Sequence, residues 1–360
     1  MSEPESLETL RSRIDTLDAA LVKLLSERAE VVEEVGRVKR GDDTPVYAPH
    51  RERAVIDRIR SMNPGPLSGR TLEAIWRELM SGSFGLEQGL RISYLGPPGS
   101  FSHVAATRHF GSSVEVAESQ DIDAVFREVI AGTAHYGLVP WENSIVGGIT
   151  DTLDAFVEYE VGVCAESLIE VSHCLLANCS REDISRIGSK PQVLGQCRKW
   201  LQRHFPGAEL FPTASSAAGV EVASKEHGTA AIGSRLAASI YNVNVVAERV
   251  GDKPDNVTRF LVLGRQRPEP TGLDRTSIMF VTKHAPGALV DVLAVFREAG
   301  INLSHIDKRP SGRVNWEYTF FIDADAHRDE SHMARAIDQA SDHCVLLRVL
   351  GSYPIAEGVL

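Results

Sequence analysis

"LRSRIDTLDAALVKLLSERAEVVEEVGRVK", residues 10–39, reads as one long helix. Leu10, Ile14, Leu17, Leu21, Leu24, Val31, Val35 and Val38 recur at intervals of four and three, an apolar seam that packs helix on helix. Position 28 belongs to the same seam and holds Arg28. An unpartnered cation in a helical core costs several kcal/mol, so either the helix meets water there or an anion meets Arg28. Arg11 and Lys39, 28 residues apart, share one heptad position. Lys39 also stands about 20° from Arg28 at ~100° per residue, so three cations border one groove. Arg51 opens the next helix with Glu52 beside it. Spacing alone leaves two readings open: a solvated basic edge with Arg28 paired to Glu27 or Glu30, or a site for an anionic molecule.

Working outward, helical patterns over about 50–61 and 68–87 complete an all-α trio, residues 1–90, separated by the breakers "GDDTPVYAP" and "NPGP". A trio this small buries little alone, and the full-length seam of its first helix asks for a partner chain. From residue 91 to 268 short apolar strands ("RISYLG", "YGLVPW", "AAIGS", "TRFLVLG") alternate with helical stretches, the pattern of an α/β domain with largely parallel sheets. "RQRPEPTGLD", 265–274, reads as a linker, and residues 275–355 follow in the order βαββαβ, a ferredoxin-like α+β unit whose third strand is "VNWEYTFFIDAD". The chain is therefore multidomain.

Composition narrows the function. With 43% hydrophobic and 24% charged residues this is a soluble globular chain, and its net charge of −11 argues against general nucleic-acid binding. No apolar run approaches the ~18 residues that span a membrane, and the acidic "MSEPESLETL" is unlike a targeting peptide, so the expected location is cytoplasmic. Five cysteines with no CxxC pair predict neither disulfides nor a metal site.

This helical stretch, within residues 1–90, resembles the α-helical class of chorismate mutases, in which Arg, Arg, Lys and Arg-Glu recur at these spacings. The resemblance implies an intertwined homodimer, with a tetramer as the alternative, in which Arg28, Lys39, Arg51 and Glu52 of one chain meet Arg11 of the other around chorismate. A Claisen rearrangement needs no nucleophile, only a compact conformer and positive charge near the breaking ether oxygen. Arg11 and Arg28 would grip the carboxylates and Lys39 the ether oxygen. In the third helix, Ser83 and Glu87 stand where relatives have Ser and then Gln or Glu; a shifted register would put Gln88 in place of Glu87. A Glu donates to the ether oxygen only when protonated, so mutase activity is expected to decline as pH rises. Ala48 stands where many relatives have Asp, leaving Glu52 alone for the substrate hydroxyl.

In the α/β region, "LGPPGSFSHVA" (95–105) follows a strand and opens a helix, where backbone amides with Ser100 and Ser102 could hold a carboxylate. "VPWENSIVGG" places Glu142, Asn143 and Ser144 after a strand; "SKPQVLGQC" places Ser189 at a strand end and Gln196 on the next helix; "TASSAAGV" places Ser215 at a helix start; "NVTRFLVLG" brings Thr258 and Arg259 into a strand. Singly, each has an ordinary reading as a turn, a helix cap or β-propensity, and Cys197 reads as a core thiol. In this order they resemble prephenate dehydratases. That implies two lobes of a periplasmic-binding-like fold with the site between them. It also implies Thr258 as chief catalytic residue, supported by Glu142, Asn143, Ser189 and Gln196, with Ser100, Ser102, Ser144, Ser215 and Arg259 binding prephenate. Loss of carbon dioxide and hydroxide aromatises the ring, so the enzyme needs a donor for the departing hydroxide and little else.

"PGALV" and "DKRPS" in the C-terminal unit resemble an ACT domain, an amino-acid-sensing module. The resemblance implies L-phenylalanine as effector, held by Gly287, Ala288, Leu289 and Val290 at a helix start, with Asp307, Arg309 and Pro310 as the second element; the plain alternative for "GAL" is close helix–strand packing. Together these imply a bifunctional, feedback-inhibited enzyme that needs no cofactor. Two rivals stand beside it: a dehydratase of prephenate or arogenate whose helices only dimerise or regulate, and a non-catalytic amino-acid sensor.

Overall fold

The computed structural model describes residues 5–42, 45–310 and 317–360. Residues 43–44 of the first breaker and 314–316 of the expected strand "VNWEYTFFIDAD" lie outside the described residues. Helix α1 (Leu7–Asp42) is followed by α2 (Pro49–Ser61) and α3 (Gly69–Glu87). Pro49 starts α2, where its fixed φ suits a first turn, but the N-cap Ala48 offers no side-chain acceptor. Ser68 caps α3 by accepting from the Thr71 amide.

The seam of α1 is mostly uncovered: Leu10, Ile14, Leu17, Leu21, Leu24, Val31 and Val38 are exposed and Val35 is half-buried, although from Arg28 onward another face of the helix meets α3 through Arg28–Ser83 and Lys39–Glu87. Gly36 permits this close approach, because a Cβ there would stand 2.9 Å from the Glu87 Cα. Helices α2 and α3 share a core with the first α/β lobe, in which Ile56, Met80 and Phe84 join Ile92, Phe110 and Tyr136. Tyr47, between α1 and α2, is buried at the centre of that core, and its hydroxyl is 2.7 Å from His109 Nε2. Burial of one such ring is worth roughly 1.5–3 kcal/mol, enough to fix the helical hairpin onto the lobe.

The first lobe orders its strands Glu115–Ser119, Arg91–Leu95, Tyr136–Asn143, Val257–Gly264 and Gly162–Glu170. The first three are parallel, but Val257–Gly264 runs antiparallel to both neighbours. The sheet is thus mixed, where the pattern suggested a largely parallel one. The reason is topological: the chain leaves this lobe, builds the second, and re-enters by the returning strand. The second lobe has the order Val245–Ala247, Cys174–Ala177, Thr229–Gly233, Arg186–Ser189, Glu209–Pro212 and is also mixed.

The C-terminal sheet, in the order Leu303–Pro310, Tyr318–Ala324, Asp274–Thr282, Cys344–Pro354, is antiparallel throughout. Alternation along its strands gives it two apolar faces. Ile278, Phe280 and Ile322 pack under the helices Ala288–Glu298 and Ser331–Asp342. Met279, Phe321 and Tyr353 form one core with Val139, Trp141, Phe156 and Leu261 of the first lobe. A domain joined through a common core moves less freely than one on a tether. Among the described residues no helix is long and apolar enough to cross a membrane, and no cluster of residues suited to a metal ion occurs.

Candidate functional site

In the helical domain four of the sequence-predicted residues meet. Arg28 donates to Ser83 Oγ at 2.8 Å, and Lys39 Nζ lies 2.7 Å from Glu87 Oε2 and 3.2 Å from the Val46 carbonyl. Ser83 and Glu87 are one turn apart on the buried face of α3, as i,i+4 spacing requires. The result is a guanidinium and an ammonium brought to partners one turn apart on α3 at the α1–α3 crossing, suited to a compact dianion. Arg11 and Arg51 are exposed. Glu52 is turned to Arg77, 3.9 Å away, and to Glu73. Burial, with Glu73 adding and Arg77 opposing, pushes the Glu52 carboxyl up to about 7.

Between the two lobes a second cluster forms. Asn143 Nδ2 donates to Thr258 Oγ1 at 2.9 Å and to Asn256 Oδ1 at 2.7 Å. The amide is oriented because its Oδ1 accepts from the Ile145 and Val146 backbone N–H groups at 3.0 and 3.2 Å. Asn256 Nδ2 reaches Gln196 Oε1 of the second lobe at 3.5 Å, and His173 Nε2 lies 2.9 Å from the same oxygen. Thr258, Asn143 and Asn256 are buried, and Asn256, Gln196, His173, Ile145 and Val146 line a cleft of about 640 Å3. Since Thr258 Oγ1 accepts from Asn143, the Thr258 hydroxyl proton is free to be given away. Burial lowers the His173 pKa, with Gln196 opposing, so the ring is neutral beside the cleft.

The remaining expected residues are distributed around this cluster. Ser144 fastens the turn, donating to the Asp255 carbonyl at 3.1 Å and accepting from the Val257 amide at 3.0 Å. Ser100 and Ser215 are helix N-caps, accepting from the amides of His103 and Ala218. Ser102 is buried in the first turn after Ser100, and Ser189 donates to the Ile232 carbonyl at 2.7 Å inside the second lobe. Cys197 is a buried thiol.

Two expected residues face away from the cleft. In the register of the strand pair Asn143 stands opposite Thr258, and Glu142 opposite Arg259. Successive side chains on a strand point to opposite faces, so Glu142 and Arg259 face the C-terminal domain. Glu142 is 3.2 Å from His305 Nδ1. Arg259 donates to Glu166 at 2.7 Å, Asp323 at 2.5 Å and Tyr353 at 3.0 Å. Asn256 and His173 are the members that sequence reasoning did not assign. Asn256 stood in the quoted "NVTRF", two residues and therefore one face from Thr258, while His173 carried no comparable signal.

In the C-terminal domain Gly287, at φ +84°, opens the helix Ala288–Glu298. Ala288, Leu289 and Val290 line a cavity of about 220 Å3 with Tyr318 and Phe320. Asp307 and Arg309 are not part of it. Arg309 forms a two-pronged ion pair with Asp154 at 2.7 Å, Asp307 lies over Gly148, and Pro310 is exposed at the strand end.

Three family models match in succession: chorismate mutase type II over residues 10–88, prephenate dehydratase over 92–268 and ACT domain over 276–342. Proteins named bifunctional chorismate mutase/prephenate dehydratase from Stutzerimonas stutzeri and Pseudomonas aeruginosa are 42% and 41% identical over 363 residues, spanning 99% of this chain and 100% of each relative. Among solved structures, prephenate dehydratase from Arthrobacter aurescens in complex with L-Phe is 34% identical with a TM-score of 0.70, covering 74% of this chain and 91% of that one.

Proposed function

The chain belongs to the bifunctional chorismate mutase/prephenate dehydratases, rearranging chorismate to prephenate and converting prephenate to phenylpyruvate, and from that premise we propose how its residues divide the work. Arg28, steadied by Ser83, binds a carboxylate of chorismate, and Lys39 and Glu87 address the ether oxygen, where negative charge develops as the bond breaks. Arg11 lies 17 residues before Arg28, about 26 Å along the helix, so it serves a mutase site only in a second copy. The exposed α1 seam fits such a homodimer, and light scattering distinguishes it from a tetramer.

In the cleft, Thr258 gives its proton to the departing hydroxide, which leaves as water, while the ring carboxylate leaves as carbon dioxide, and a solvent water returns the proton to Thr258 Oγ1. Asn143 holds Thr258 Oγ1 in place, and Asn256 and Gln196 extend the support across the lobes. The observation that carries this reading is the Asn143–Thr258 hydrogen bond, whose direction leaves the hydroxyl proton available. L-phenylalanine is the effector, its carboxylate at the helix start after Gly287 and its ring against Leu289 and Val290. Neither reaction calls for a redox or electrophilic cofactor.

The test is phenylpyruvate formation from purified chorismate by wild type, Thr258→Ala and Arg28→Ala. The expected outcome is phenylpyruvate from wild type, arrest at prephenate in Thr258→Ala, and conversion of added prephenate but not chorismate by Arg28→Ala. Wild type that converts prephenate alone would reduce the helical domain to a scaffold.

A further inference from the structure

The strands Tyr136–Asn143 and Val257–Gly264 form a wall with two chemistries. On one side stand Asn143 and Thr258; on the other, one residue away on each strand, stand Glu142 and Arg259. The register shifts between Arg259 and Phe260, a bulge beside the reacting pair. On the far side the C-terminal domain supplies a partner to each of Glu142 and Arg259, while Arg259 also bonds Glu166 of the neighbouring first-lobe strand at 2.7 Å. His305 is paired with Glu142 at 3.2 Å, and Asp323 accepts from Arg259 at 2.5 Å while taking a second bond from Ser277 at 2.5 Å. Asp323 and His305 are themselves register partners on adjacent strands. The strand that carries Asp323 also carries Tyr318 and Phe320, which line the effector cavity; Phe320 and Asp323 are three residues, about 10 Å, apart.

We propose that Glu142 and Arg259 are positioning residues, through which His305 and Asp323 of the C-terminal domain hold Asn143 and Thr258 in register from behind, and that this is the path by which an effector acts on dehydration. The effector half rests on the assignment of L-phenylalanine to the cavity after Gly287. The environment of Glu142 agrees: the hydrogen bond from His305 holds its carboxyl below the usual range against the opposing effect of burial, so it carries no proton to give a leaving group. Arg259 cannot leave its place to bind prephenate without abandoning two buried carboxylates, which are strongly penalised when unpaired.

The experiment is a double-mutant cycle of Glu142→Gln and His305→Ala in the full chain, with dehydratase kcat and KM measured on prephenate and mutase activity of the same chain as the folding control. Each single variant is expected to lower dehydratase kcat by roughly tenfold to a hundredfold, the cost of misplacing a reacting group, with KM and mutase activity unchanged. The double variant should be no worse than either single one, and His305→Asn, whose amide nitrogen stands where Nδ1 stood and retains a donor toward Glu142, should recover most of the rate. Both singles should still bind L-phenylalanine by calorimetry while needing at least tenfold more of it for half-inhibition. A large loss in Glu142→Gln with wild-type behaviour in His305→Ala would overturn the proposal and make Glu142 a group that acts on substrate. Wild-type rates and wild-type inhibition in both singles would also overturn it. If wild type itself neither binds nor responds to L-phenylalanine, the effector assignment falls, and the kcat cycle alone decides the positioning role.

Discussion

Gly36 sets how closely α1 and α3 approach, so Gly36→Ala should damage the mutase site without removing any group the substrate contacts. The added Cβ would lie 2.9 Å from the Glu87 Cα and 3.2 Å from its carbonyl oxygen, where ordinary contact begins at 3.4 Å. Both atoms are backbone and cannot swing aside, so the helices must part by at least the missing half ångström. The Lys39–Glu87 bond, 2.7 Å in the native packing, is then stretched toward the limit of a good hydrogen bond. A hydrogen bond to a charged group contributes about 1.5–3 kcal/mol, which as transition-state stabilisation is a loss of roughly 10- to 150-fold in kcat/KM. Local unfolding does not explain such a loss, since Ala favours a helix interior over Gly by about 1 kcal/mol. The assay is chorismate consumption, with prephenate conversion by the same preparation and helical circular dichroism as controls. A variant within twofold of wild-type mutase activity would refute the reasoning about the helix crossing.

The other predictions concern single carboxyls and caps. Ala48→Asp places an acceptor at the uncapped start of α2, in extended backbone that suits an N-cap, and should raise stability by about 0.5–2 kcal/mol in chemical denaturation. Glu52→Gln should leave stability near pH 4 unchanged and increase it above pH 7. The folded-state pKa of Glu52 is raised from 4.5 to about 7, so the native chain pays a growing cost of ionising it between those values. That cost reaches at most roughly 3 kcal/mol, and thermal melts at the two pH values measure it. Glu87→Gln should retain mutase activity while Glu87→Ala loses it, because the amide can still accept from Lys39 Nζ, 2.7 Å from Glu87 Oε2, and donate to the ether oxygen; wild-type chorismate turnover in Glu87→Ala would contradict this role.

The three-helix trio, the strand–helix alternation and the βαββαβ unit were all legible in the chain because they follow from local rules. Apolar spacing, Pro and Gly breakers and helix caps act over a few residues, and Ser68, Ser100 and Ser215 cap the helices they precede. The cations Arg28 and Lys39 were likewise legible, since an amphipathic helix states its own face. What the tertiary structure decided was the company each polar residue keeps. Glu142-Asn143 and Thr258-Arg259 read as contiguous motifs, yet a strand sends neighbours to opposite faces, and only the packing of a third domain behind the sheet gives the second face its partners. Glu52 stands beside Arg51 in sequence but is committed to Arg77 by the docking of α2 on α3. Asp307 and Arg309, grouped in sequence with an effector motif, are drawn by Gly148 and Asp154 to a different surface. The sequence by itself determined the elements and the inventory of chemistry. Long-range packing, which no local pattern encodes, determined which side of each element that chemistry serves.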